Sequence, residues 1–232
     1  MRKNINPVRN YRATGKYKDV SNGVKLVIFD LDGTLVDAYE AIIKSVNLTL
    51  KKMGYPQAPA LRIRKAVGWG DRLLLGAFID AKDIGPGLVI YRKHHRIALK
   101  KYSRLLTNAR DLLRELAEGG FKIAIASNRP TEFTGIILSH LKIRKYFDYV
   151  LCADKLPKGK PHPEILLRIM KRLKVKPPEA IYVGDMVIDV QTARNAGVKS
   201  IAVCGGSSSL EEIKKARPFK IIKNLAFFKE IL

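Results

Sequence analysis

The chain has 232 residues, 47% of them hydrophobic, and its 44 lysines and arginines against 21 aspartates and glutamates give a formal charge of +23. That length and apolar content suffice for one domain with an insertion or for two small domains. No apolar run approaches the roughly 18 residues of a membrane span and the start has no apolar signal segment, so the chain reads as a soluble, cytoplasmic protein with no membrane partner.

Residues 1–23 are polar and basic and are broken by Pro7, Gly15 and Gly23. With so few apolar side chains they read as a flexible basic arm. At Val24 the pattern changes. The stretch VIFDLDGTLVD, Val27 to Asp37, is apolar up to Asp30 and then sets Asp30 and Asp32 two positions apart before Gly33. An extended backbone sends neighbouring side chains to opposite faces, so this spacing keeps both acids on one side.

From Ala38 to Leu106 there is no good strand, only helical patterns around YEAIIKSVNLTLKKMG, LRIRKAVGWGDRLLLGAFI and LVIYRKHHRIALKKYSRLL. The segment is too long for an ordinary crossover and carries its own apolar faces. Residues 38–106 therefore read as an all-helical second domain inserted after the acidic loop. Within it, Gly68, Trp69 and Gly70 predict a tight turn between helices. His94 and His95 occupy adjacent helical positions about 100° apart and read as surface residues rather than shared metal ligands.

Beyond Leu106 short β-rich runs alternate with amphipathic ones. KIAIAS (122–127), FDYVLC (147–152), AIYVG (180–184), SIAVC (200–204) and KIIK (220–223) read as near-continuous apolar strands. ARDLLRELAEGG, ended by Gly119 and Gly120, and PEILLRIMKRLKV, opened by Pro163, read as helices. Strand and helix in series predict an α/β fold, a doubly wound parallel sheet over residues 24–37 and 107–232. Cys152 and Cys204 fall in no ligand pattern and read as small hydrophobes at strand ends.

In such a sheet the ligand crevice lies beyond the carboxyl ends of the strands. The residues there are Asp30 and Asp32, Ser127 and Asn128, Asp154, Lys160, and Asp185 with Asp189. Converging acids without compensation repel one another, so a hard cation is the natural resident. Oxygen ligands without clustered His or Cys point to Mg²⁺. Ser127, Asn128 and Lys160 would then hold a phosphoryl group. The basic residues are scattered, with no Arg/Lys block alternating with exposed aromatics, so a solvated basic surface is preferred to a nucleic-acid groove.

DLDGTLVD, Ser127, Lys160 and GDMVIDVQTARNAG resemble, in order, the four motifs of the haloacid dehalogenase superfamily. The resemblance runs from about Val24 to the C-terminus and is strongest with the phosphoglycolate phosphatase-like branch. It implies a Rossmann-like core with a helical C1 cap and a Mg²⁺-dependent phosphatase acting on a small phosphorylated metabolite, with phosphoglycolate as the best single substrate. Asp30 would be the nucleophile that forms an aspartyl-phosphate, and Asp32 the general acid and then base. Ser127 and Lys160 would bind the phosphoryl group, Lys160 also restraining Asp30. Asp30, the Asp32 main-chain carbonyl and Asp185 would hold the metal, with Asp189 behind them through water and Thr34 orienting the loop. Met186 and Ala38 depart from the family's usual small polar residues.

The resemblance also directs attention to the cap for selectivity. Trp69 or Arg72 would face the core, Arg72 as a clamp for a substrate carboxylate, or else serve as packing and surface residues. Tyr39 would line the pocket or pack beneath the cap. A phosphosugar mutase of the β-phosphoglucomutase kind shares Asp30 and Asp32 and is the alternative enzyme. A basic nucleic-acid-binding module that keeps the fold is the alternative of another class, and the oligomeric state stays open.

Overall fold

In the computed structural model, which describes residues 23–231, a six-stranded sheet runs β5 (Tyr149–Cys152), β4 (Lys122–Ser127), β1 (Leu26–Phe29), β6 (Ala180–Gly184), β7 (Lys199–Val203) and β8 (Lys220–Ile222), every pair parallel. Of the basic arm expected over residues 1–23, residues 1–22 lie outside the described residues. All four β1 residues are buried because helices cover both faces of the sheet. Val27 and Phe29 pack on one side with α5 (Ala109–Glu118) and α6 (Thr131–His140). Leu26 and Ile28 pack on the other with α7 (Glu164–Leu173) and α8 (Val187–Asn195). Two buried faces are why these strands read as unbroken apolar runs.

The chain moves outward from β1 through β4 to β5, then returns to the other side of β1 for β6, β7 and β8. The order reverses at β1, so a crevice opens beyond the carboxyl ends of β1, β4 and β6. Those ends deliver Asp30, Ser127 and Asp185.

Between β1 and β4 lies the helical excursion: α1 (Tyr39–Lys52), α2 (Ala60–Lys65), α3 (Asp71–Gly76) and α4 (Ile84–Tyr102). α1 packs along α4, and the buried apolar side chains of both join the same cluster as Val27 and Phe29 of β1. The sequence reading expects only helix over 38–106, but a short antiparallel ribbon closes the excursion, β2 (Val36–Asp37) against β3 (Arg104–Leu105). Two-residue strands are too short to carry a period of two, which is why the pattern hides them. Gly68 and Gly70 both have positive φ, 111° and 88°, and form the turn expected there. Among the described residues no helix is long and apolar enough to cross a membrane.

Candidate active site

The ladder of β1 continues one residue past the strand, with Asp30 N donating to Val183 O at 2.8 Å. The chain then doubles back, and both Leu35 N and Val36 N donate to Leu31 O at 3.0 Å. Gly33 makes this possible. Its φ is 80°, and a Cβ there would lie 2.5 Å from Asp185 Oδ2, so a side chain would expel the neighbouring acid. Gly206 is tighter still, since its Cβ would sit 1.8 Å from the same oxygen.

One buried ammonium organises the centre. Lys160 Nζ lies 2.9 Å from Asp30 Oδ1 and 2.6 Å from Asp189 Oδ1, and donates to Tyr182 Oη at 3.0 Å. Burial opposes its charge, but Asp189 and Asp30 hold Lys160 well above the usual lysine range. Tyr182, in the middle of β6, also donates to Asp189 Oδ1 at 2.9 Å. Sequence reasoning missed Tyr182 as a site residue because a tyrosine inside an apolar strand reads as core.

Asp185 is completely buried and accepts from Thr34 Oγ1 at 3.0 Å and from Ser207 N at 2.8 Å. Thr34 thus orients this acid rather than its own loop. Burial, with Asp189 and Asp30 nearby, pushes the Asp185 carboxyl well above the usual range. Burial pushes Asp30 up to about 7 in spite of Lys160. Carboxylate oxygens of Asp30, Asp185 and Asp189 lie within 4.8 Å of one another, all three residues buried. Three carboxylates facing one ammonium leave two negative charges without a partner, and the donors are all oxygen. A hard divalent cation fits that balance and that donor set. Asp189 is the most committed of the three, holding Lys160, Tyr182 and Met186 N.

Asp32 sits apart in a pair of its own. Arg129 donates Nε to Asp32 Oδ2 at 2.7 Å and Nη2 to Oδ1 at 2.9 Å, a bidentate contact with both side chains nearly buried. Arg129 Nη1 also meets His95 Nε2 at 2.7 Å. The surface placement expected for His95 is corrected here, because the residue is fully buried. Tyr91 stacks on its ring and Phe133 meets it edge-on. Burial, then the Arg129 charge, hold His95 well below the usual imidazole range. A signal for this was present in α4, where Gly87, Tyr91, His95, Ala98 and Leu99 form one buried stripe at helical spacing. His94, next to it, is only partly buried.

A cavity of about 50 Å³ separates these groups from the helical excursion. Asp30, Asp32, Ser127, Asn128, Arg129 and Lys160 line its polar side, and Ile42, Val67, Leu74 and Phe133 its apolar side. Ser127 Oγ accepts from Arg129 N at 3.2 Å, so its own proton is free for a ligand. The side chain of Asn128, expected to donate to a phosphoryl group, is already engaged. Its Oδ1 accepts from Lys160 N, and its Nδ2 donates to Gly68 O at 2.9 Å and Lys160 O at 3.3 Å. Asn128 braces the Lys160 loop against the glycine turn.

Arg72 is exposed and does not line the cavity; Asp71 and Gly70 do. Trp69, 47% exposed, lines a separate groove of about 930 Å³ together with Arg64, Lys65 and the serines at 207–209. The turn between two positive-φ glycines points the backbone, not these side chains, at the acids. Tyr39 is buried with its hydroxyl 2.8 Å from Ser207 Oγ and the Arg64 guanidinium 3.9 Å from its ring centre, packed beneath the helices and off the cavity. Asp154 accepts from Thr131 N and Oγ1 at the start of α6 and takes no part in the acid cluster.

Residues 27–203 match the family described as haloacid dehalogenase-like hydrolase. The chain is 32% identical over 214 residues to the phosphoglycolate phosphatase of Pseudomonas putida, covering 87% of this chain and 77% of that one. It is 30% identical over 213 residues to the phosphoglycolate phosphatase of Vibrio vulnificus, covering 88% and 93%. The crystal structure of a predicted phosphoglycolate phosphatase from Haemophilus somnus superimposes with a TM-score of 0.86 at 26% identity, over 90% of this chain and 98% of the other.

Proposed function

The chain belongs to the haloacid dehalogenase-like hydrolase family and is a phosphatase, and from that premise we propose that it hydrolyses phosphoglycolate through an aspartyl-phosphate on Asp30. The observation that carries this reading is the separation of the two acids of one cavity. Asp30 faces the ammonium of Lys160, and Asp32 faces the guanidinium of Arg129. Separate partners leave the two acids free for separate roles, one as nucleophile and one as acid/base.

In the first step an Asp30 oxygen attacks phosphorus and the ester P–O bond breaks, while Asp32, entering the step protonated on an oxygen released from Arg129, gives that proton to the leaving oxygen. In the second, Asp32 takes a proton from water as that water attacks phosphorus, and the Asp30 carboxylate is restored. Splitting the displacement lets one chain carboxylate serve as a fixed nucleophile at high effective concentration. Ser127 Oγ donates to a phosphoryl oxygen, and Lys160, whose ammonium holds Asp30, Asp189 and Tyr182, supplies positive charge beside the phosphoryl group. Asp30, the Asp32 carbonyl and Asp185 are the ligands we assign to Mg²⁺, with Asp189 behind them through water. When bound, that ion supplies positive charge to the phosphoryl oxygens.

We assign residues 24–37 and 107–232 to the catalytic core and 38–106 to a cap. The cavity lies between the cap and the catalytic acids, so opening of the cap would admit the ester and its closing would exclude bulk water from the phosphoryl-enzyme.

Phosphate release from 2-phosphoglycolate and from a panel of sugar phosphates, with Mg²⁺ and with EDTA, tests the reading. The expected result is Mg²⁺-dependent turnover led by phosphoglycolate. Turnover indifferent to EDTA would refute the metal, and a panel led by hexose phosphates would refute the substrate.

A further inference from the structure

Lys160 and Arg129 are the two cations among the described residues that line the cavity. Lys160 is occupied by Asp30 and Asp189 at the phosphoryl end. Arg129 stands beside Asp32, the acid we assign to the leaving oxygen. Of its five N–H donors, Nε and one on Nη2 go to Asp32 and one on Nη1 goes to His95. One N–H on each terminal nitrogen remains for a ligand.

The guanidinium is held in place by residues of the cap. Ser45 Oγ donates its only proton to Ala41 O at 2.6 Å, so it accepts from His95 Nδ1–H at 3.0 Å. The Nε2 lone pair of a neutral His95 is then left for Arg129 at 2.7 Å. His95 and Ser45 belong to the cap, so this donor array is complete when the cap is closed over the site, as it is here, and is then set for the chemical step. Asp71, the remaining acid of the lining, is paired with Arg92 at 2.8 Å and does not compete for the remaining N–H donors of Arg129.

We propose that Arg129 is the residue that recognises a carboxylate on the leaving group, so that the enzyme selects phosphate esters of short hydroxy acids over uncharged esters of the same size. This rests on the assignment of Asp32 to the leaving oxygen. In phosphoglycolate one methylene separates that oxygen from the carboxylate, so a guanidinium touching Asp32 is within reach of both. The apolar wall of Ile42, Val67, Leu74 and Phe133 suits a short aliphatic stem and offers no competing donor.

The test compares kcat/KM for 2-phosphoglycolate and ethyl phosphate in wild type, Arg129→Lys and Arg129→Gln. In wild type the carboxylate ester is expected to lead. In Arg129→Gln the ratio of the two should fall about 10- to 100-fold, the range of a charged hydrogen-bonded contact, chiefly through KM, with Arg129→Lys in between. An equal fall for both esters, leaving the ratio within about twofold, overturns the proposal, because Arg129 would then serve Asp32 alone. Should the variants fail to fold, competitive inhibition of the wild type by glycolate and by ethylene glycol decides. At least about tenfold tighter glycolate supports the proposal, and equal inhibition overturns it. A wild type that prefers another carboxylate ester, such as phospholactate, refutes phosphoglycolate but keeps the role of Arg129, which the same ratio then tests on that ester. A wild type that prefers no carboxylate ester refutes the role while phosphatase activity stands.

Discussion

Lys160 donates to Asp189 Oδ1 at 2.6 Å, with both side chains only 2% exposed. So buried a pair tolerates no partial removal. Lys160→Met would leave Asp189 with Tyr182 and Met186 N, and Asp30 with no cation at all. Breaking a buried pair from one side destabilises by about 3–5 kcal/mol, and, on the proposed role of Lys160, losing the cation beside the phosphoryl group slows turnover roughly 10²–10³-fold. Urea unfolding and kcat on the same preparation should show both losses together. A variant of unchanged stability would mean that the pair is not held as closely as these distances indicate.

Asp30→Asn separates chemistry from folding. The amide cannot attack phosphorus, so hydrolysis of p-nitrophenyl phosphate should vanish. Burial already pushes the Asp30 carboxyl up to about 7, so a neutral isostere relieves an unfavourable charge, while Lys160 keeps Asp189. The melting temperature in EDTA should therefore stay level or rise. A large fall would instead make Asp30 a structural acid.

The α/β pattern was readable because strands buried on both faces leave unbroken apolar runs, and the acids stood out because charge at the end of such a run is conspicuous. Lys160 was expected beside Asp30, but the partners of Asp32 were not readable. Arg129 is 97 positions from Asp32, and His95 is 34 positions from Arg129. Only the folded chain brings them together, and a buried arginine looks on paper like any other in a basic sequence. Asn128 failed for a different reason: its position beside Ser127 was legible, but the commitments of its amide to Gly68 and Lys160 were not.

Thr34 offers a milder probe of the metal assignment. Its hydroxyl donates to Asp185 Oδ1 at 3.0 Å and helps hold that acid ionised against burial. Thr34→Val removes the donor at nearly constant shape. Loss of a partner that orients a metal ligand weakens metal affinity by about 10–100-fold. The Mg²⁺ concentration for half-maximal activity should rise by that factor, with kcat at saturating Mg²⁺ much less affected. An unchanged Mg²⁺ requirement would remove Asp185 from the proposed ligands.

His95 gives the fold a pH dependence whose sign can be worked out. Burial and Arg129 hold the imidazole neutral well below its ordinary value of 6.5, with His94 adding to the effect and Ala41 O opposing it. The unfolded chain binds a proton near that ordinary value, and the folded one does so only at lower pH. Stability is therefore complete above about pH 6.5 and falls as the pH drops below it, by up to about 1.4 kcal/mol per unit, until the folded group titrates. The Asp32–Arg129 pair sharpens this, since a protonated His95 would lose the lone pair that receives Nη1 and would place a second cation beside the guanidinium. His95→Gln can accept from Arg129 and donate to Ser45 but cannot take up the proton. Urea midpoints at pH 7.5 and 5.5 should therefore differ less in the variant than in the wild type. Equal differences would show that His95 is already protonated in the folded protein or that another group governs the acid limb.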